Sequence, residues 1–249
     1  MMPRVYDQKF IQYAATSSRY GASKVIPVVL AALDVRSVLD VGCAGGGWLS
    51  EWRQTGVADV FGVDGAYVDP ADLEIKREQF MSADLARPFD LGKTFDLVQS
   101  LEVAEHIDET ASGVFISNLV KHAGRFILFS AAVPGQGGEH HVNEQPYDYW
   151  RRRFAEAGFT AYDFVRPRIA ADNGISFWYR YNIILFVRDE HAGELNPAVK
   201  ATRIPDGEPV PDISSAWFRL RKHIVKSLSA KNRDRLARLK ARVAPTGRF

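Results

Sequence analysis

The chain has 249 residues, 46% of them apolar and 25% charged, enough for one large hydrophobic core or a domain with appendages. It lacks the run of about 18 apolar residues that a membrane-spanning helix needs, and its first residues lack the apolar centre of a secretory signal, so a cytoplasmic protein is expected. A single cysteine, Cys43, excludes an internal disulfide framework and a multi-cysteine zinc site.

In chain order, residues 1–34 are expected to form a helical segment carrying Tyr6, Phe10, Tyr13 and Tyr20. SVLDVG at 37–42 is a short apolar run stopped by glycine and predicts a buried strand, followed by a helix over 48–56. Further strands are expected at 59–64, 78–84, 95–101 and 125–133, with a helix over 109–124 before the last of them. YDYWRRRFAEAGF predicts a helix ending at Gly158. A strand at about 160–165, a loop and one long strand SFWYRYNIILFVR over 176–188 follow. This alternation argues for an α/β fold: a doubly wound, mostly parallel seven-stranded sheet, helices on both faces, and an antiparallel terminal hairpin. Residues 35–190 form the expected domain. Residues 191–213, with four prolines, read as a linker or wrapping segment, and 214–249 as a basic tail.

VLDVGCAGGGW places a glycine-rich turn between the first strand and a helix, where glycine lets a backbone approach a ligand closely. Gly42, Gly45, Gly46 and Gly47 do not make the G-x-G-x-x-G of pyrophosphate binders, because position 44 is alanine. The second strand ends in Asp64, 22 residues after Gly42, where a carboxylate can accept both hydroxyls of a ribose. Asp84 closes the third strand at the same sheet edge.

DVGCAGGG, GVD, SADL and FDLVQSLEVAEHI, in that order, resemble the successive motifs of class I S-adenosylmethionine-dependent methyltransferases of small-molecule or glycan-pathway type, over about residues 35–190. The resemblance implies S-adenosylmethionine as cofactor. It implies that Asp40, Gly42 and Gly46 surround the methionyl part, with Ala44 replacing the usual middle glycine. Asp64, with Gly65, would hold the ribose, Asp84 and Leu85 the adenine, and Leu101 and Glu102 would line the sulfonium end. The N-terminal segment would lid the pocket, bringing Tyr13 or Tyr20 to the cofactor; packing of a helix on the body is the alternative. A sulfonium suits carboxylates and aromatic faces, and no phosphate-binding lysine follows Gly47.

PGQGGEHHVNEQPYDYW, residues 134–150, follows the fifth strand and so lies at the carboxyl edge of the sheet, where α/β sheets bind ligands. Methyl transfer to oxygen requires removal of the acceptor's proton, and a neutral histidine within reach is a suitable base. Adjacent residues in extended backbone point opposite ways, so one of His141 and His140 is expected to serve, His141 first. Asn143, Glu144 and Gln145 can position hydroxyls, while Tyr147, Tyr149 and Trp150 offer faces for a sugar or an aromatic ring. The competing readings are a metal held by His140, His141 and Glu144, a purely structural loop, and an acidic acceptor that needs no base. His106 is expected at a helix start beneath the cofactor, in a structural or cofactor-positioning role.

The net charge of +2 conceals an asymmetry. Eleven Lys and Arg but only one acid, Asp234, follow residue 213, leaving 21 basic and 29 acidic side chains in the body. In that tail Trp217, Leu220, Ile224 and Leu228 fall at helical spacing. Such a helix can dock on its own protein, lie on an anionic membrane surface such as the inner membrane, or bind nucleic acid.

The reading that unites these features is an O-methyltransferase acting on a small polar acceptor, a sugar, glycan or natural product. An RNA or protein methyltransferase docking through the tail is the alternative, as is a non-catalytic cofactor-binding subunit. Nucleic acid is the weaker partner, since SLEV replaces the N/D-P-P-Y/F type of stretch used to methylate base amino groups. Oligomeric state is not indicated.

Overall fold

A computed structural model of the chain describes residues 8–226, with side chains from Ser18 onward. Strands form where aliphatic and β-branched residues run together: β1 (Ser37–Val41), β2 (Asp59–Asp64), β3 (Phe80–Ser82), β4 (Phe95–Leu101), β5 (Ala123–Ser130), β6 (Phe159–Tyr162) and β7 (Ile184–Arg188). They make one seven-stranded sheet in the order β3-β2-β1-β4-β5-β7-β6. Strands β1 to β5 pair in parallel, and β7 runs antiparallel between β5 and β6. This is the predicted doubly wound, Rossmann-like sheet with its antiparallel hairpin. The central strands are covered on both faces, so Leu39, Val41, Leu97 and Val98 are all fully buried without alternation.

Helices α1 (Gln8–Leu30) and α2 (Gly47–Gln54) lie within one core cluster, through Val25, Ile26, Val29, Leu49 and Trp52. Helices α3 (Ser112–His122) and α4 (Tyr147–Glu156) close the other, through Phe115, Leu119, Trp150 and Phe154. The strand order reverses between β1 and β4, and at such a switch point the carboxyl ends of the strands splay to leave a crevice.

The long strand expected over 176–188 is a correction. Residues Phe177–Asn182 form a helical turn, α6, and only Ile184–Arg188 are strand; a single turn, α5 (Arg166–Ile169), also interrupts the expected loop. Aromatic residues favour strands because they fit a half-buried pleat, not through an intrinsic backbone preference. Here tertiary contacts reward a helix instead: Tyr179 packs edge-on against Trp48 at 5.3 Å, and Arg180 donates to Asn173 at 2.6 Å.

Residues 189–213 include a short helix, α7 (Pro197–Lys200), and run along the open edge of β6. Ile204 donates to the Ala161 carbonyl at 2.9 Å and a bridge joins Tyr162 to Arg203, covering an edge strand that would otherwise be exposed. Helix α8 (Ala216–Lys226) docks through Phe218, Lys222 and Val225, while Trp217, Leu220 and Ile224 are exposed. The apolar stripe at helical spacing is therefore not the face that docks, and Leu228 lies outside the described residues. Among the described residues no helix is long and apolar enough to cross a membrane.

Candidate active site

The glycine loop leaves β1 through Gly42 (φ 88°) and enters α2 through Gly46 (φ 85°), conformations open to glycine at no steric cost. A Cβ on Gly42 would overlap the Val103 side chain. Ala44 between them also takes a positive φ, 47°, and two more non-glycine residues do so among the described residues: Glu102 (59°) and His140 (60°). Each such conformation costs of order 1–3 kcal/mol for an ordinary side chain, and such residues cluster where function over-determines the backbone. All three belong to the carboxyl-edge segments picked out from the motifs.

Asp64, at the end of β2, is 2% exposed. Its carboxylate accepts from the amides of Ala44 and Gly65, each at 2.6 Å, and from the Tyr67 hydroxyl. Burial pushes its pKa up, and those three donors work against the rise. Asp40 in β1 is also buried, and burial, with the Asp64 charge adding to it, pushes it up to about 7. Asp84 is exposed, accepts from the Ala86 amide at 3.0 Å and pairs with Arg87, whereas Leu85 beside it is buried. Tyr20 donates to Asp172 at 3.1 Å. Its neighbour Arg19 instead reaches Glu74, whose amide donates to the Gly45 carbonyl at 2.7 Å, so α1 does touch the loop's cover. The side chain of Tyr13 lies outside the described residues.

Leu101 ends β4, and Glu102 follows as the hub of a polar network. Its carboxylate accepts from Gln136 at 2.8 Å and Asn182 at 3.0 Å, and its amide donates to the Ser130 carbonyl at 3.0 Å. Asn182 also donates to Gln136 at 2.8 Å and accepts from the Tyr147 hydroxyl at 3.0 Å. Burial raises the Glu102 pKa, with Asn182, Ser130 and Gln136 opposing. The end of β4, the loop after β5, α4 and α6 are thus tied at one carboxylate.

In the loop, His141 Nδ1 lies 2.9 Å from Glu144 Oε1, and both side chains are largely buried. Glu144 further accepts from the amides of Gly135 and Gly137, each at 2.9 Å. Burial disfavours its charge, but the His141 bond and the two amides outweigh this and hold Glu144 below the usual carboxylate range. A Cβ on Gly138 would overlap Nε2 of His141, so glycine there gives the ring its place. His106 is on a single 3₁₀ turn, Ala104–His106, well before α3. Its ring meets that of His141 edge-on at 4.9 Å, and its Nδ1 lies 3.3 Å from the His140 carbonyl oxygen.

The remaining loop residues have mostly internal partners. Asn143 donates to Ser112 at 3.0 Å and accepts from Gln145 at 2.9 Å, fastening the loop to α3. Trp150 is a core residue, 2% exposed and packed on Phe129, and Tyr149 lies between Trp150 and Arg153. Tyr147 alone of the three aromatics joins the Glu102 network. The suggested metal set of His140, His141 and Glu144 is not what the fold assembles. Among the described residues the group within metal-holding distance is Glu105, His106 and His141. Sequence reasoning missed Tyr67, Glu105, Gln136 and Asn182. Glu105 had a signal, three residues after Glu102 and beside His106, but Asn182 was hidden inside the misread strand.

Residues 9–127 match the model of a methyltransferase domain family. A stretch of 88 residues is 38% identical to the ubiquinone biosynthesis O-methyltransferase of Azorhizobium caulinodans, spanning 32% of this chain and 32% of that one. The fold is similar to magnesium protoporphyrin IX methyltransferase of Synechocystis PCC 6803, solved with bound S-adenosylhomocysteine (TM-score 0.53, 22% identity, 71% of this chain and 86% of that one). It is also similar to an S-adenosylmethionine-bound amino pentose methyltransferase of Micromonospora echinaspora (TM-score 0.51, 17% identity, 76% and 100%). The matched domain makes residues 9–127 similar to a methyltransferase domain, and the sheet is similar to that of solved methyltransferases holding S-adenosylmethionine or S-adenosylhomocysteine.

Proposed function

We propose that the protein transfers the methyl group of S-adenosylmethionine to a hydroxyl of a small polar acceptor, a sugar, glycan or natural product, and that the acceptor's proton leaves at His141. The observation that carries this reading is the 2.9 Å bond from His141 to a Glu144 carboxylate held ionised. That bond fixes the ring through Nδ1 and leaves Nε2 to take a proton, the arrangement of a histidine base oriented by an acid. The pair stands in the loop whose Gln136 donates to Glu102, the residue read as lining the sulfonium end. Asp40 and Asp64 then hold the methionyl and ribose parts, and Tyr147 borders the acceptor.

Labelled S-adenosylmethionine, the pure full chain and a cell lysate test this. Methylated products are separated into polar small molecules, glycans, lipids, RNA and protein. Label in the small-molecule or glycan fraction, lost in His141→Ala, supports the reading. Label confined to RNA or protein overturns it.

A further inference from the structure

Three donor residues meet where the loop after β5 crosses the turn after β4. One donor atom each from Glu105, His106 and His141 lies within 4.8 Å of the other two. Donors sharing one ion are spaced by up to about 4 Å, so small side-chain adjustments close the set.

Glu105 is the second, independent observation. It is 1% exposed, and its Oε2 has no hydrogen-bond partner. An unsatisfied buried carboxylate oxygen is costly, and such groups are normally paired or bound to metal. The backbone also anchors it, since the Glu105 carbonyl accepts the amides of Val142 at 2.9 Å and Asn143 at 3.0 Å.

The histidines are held as metal-ligating histidines are, each with one ring nitrogen beside an oxygen that orients it. His141 has the Glu144 carboxylate, and His106 the His140 carbonyl. Two imidazoles and one carboxylate, without a thiolate, favour a divalent first-row transition ion over Mg²⁺ or Ca²⁺.

We propose that Glu105, His106 and His141 bind one divalent first-row transition ion, with open positions on it for oxygen atoms of the acceptor. The role of the ion rests on the hydroxyl acceptor proposed above and replaces the transfer of its proton to His141; its binding rests on neither. With the ion in place His141 is a ligand, and the ion takes over the task of ionising the hydroxyl. The acceptor O–H proton leaves to water, the oxygen forms its bond to the methyl carbon, and the sulfonium sulfur keeps the electron pair of the broken S–C bond.

The test is a Co²⁺ titration of the metal-stripped full chain, followed by visible absorption and calorimetry, with S-adenosylmethionine binding measured in parallel. One equivalent of Co²⁺ is expected, lost in Glu105→Gln and in His106→Gln while the cofactor still binds. Glu144→Gln weakens Co²⁺ by about 10- to 100-fold, as loss of a ligand-orienting carboxylate does. Asp64→Ala shows the reverse pattern, keeping Co²⁺ and losing the cofactor. Absence of saturable binding to the parent chain, or parent-like Co²⁺ affinity in the folded Glu105→Gln and His106→Gln chains, overturns the proposal. Co²⁺ binding with label confined to RNA or protein leaves the ion site standing and removes the acceptor reading alone.

Discussion

Tyr67 donates its hydroxyl to the carboxylate of Asp64, the residue proposed to hold the ribose. Tyr67 is 68% exposed, whereas Asp64 is buried and fixed by two backbone amides. On the proposed role of Asp64, the tyrosine hydroxyl competes with a ribose hydroxyl for the same carboxylate. Tyr67→Phe is therefore expected to tighten S-adenosylmethionine binding by roughly two- to tenfold, the net worth of one hydrogen bond. Asp64→Ala abolishes binding. Calorimetric titration of both variants checks the pair; weaker binding in Tyr67→Phe would make the tyrosine a ligand to the cofactor and not its rival.

His141→Ala is expected to lower turnover by about 10²- to 10⁴-fold, the range for loss of a positioned proton acceptor, with cofactor affinity unchanged. Gly138→Ala should reproduce part of that loss without touching any polar group, because its Cβ displaces the His141 ring. His140→Asn, which keeps a residue tolerant of positive φ, should stay close to the parent. Single-turnover rates with each variant separate these outcomes.

Asp40 supplies a pH dependence whose sign is fixed by burial. Its folded pKa is about 7 against an ordinary value of 3.8. Between those values the folded state holds a proton that the unfolded chain has released, so stability falls as the pH rises through this window and levels off above about 7. Binding of a cationic cofactor favours the ionised carboxylate, so affinity for S-adenosylmethionine should rise between about pH 6 and about pH 8. Asp40→Asn should flatten both profiles. Thermal unfolding and cofactor titrations across the range read them out.

Asn182 joins Glu102 to Gln136, its side-chain amide donating to the Glu102 carboxylate and to the Gln136 amide oxygen. Asn182→Leu strands those acceptors in a buried site, at about 1–3 kcal/mol for each. Urea denaturation should show that loss, and Asn182→Asp should fare worse, by setting a second carboxylate against Glu102.

The sequence by itself determined the architecture and the sheet edge on which the glycine and acidic motifs lie. Apolar runs such as 37–41 and 95–101 are buried on both faces and must be strands wherever they pair, and the glycines and Asp64 stand at fixed short distances along the chain from them. Tertiary structure decided what depends on partners distant in sequence. FWYRYN became helix because Trp48 and Asn173 meet it there, and the tail helix docked by Phe218 and Lys222 because α6 and Asp212 receive them. Trp150, legible as a sugar platform, went to the core because Phe129 lies beneath it. The acidic and imidazole cluster of Glu105, His106 and His141 is likewise a product of the fold, since 35 residues of chain separate His106 from His141 and only the sheet brings their segments together.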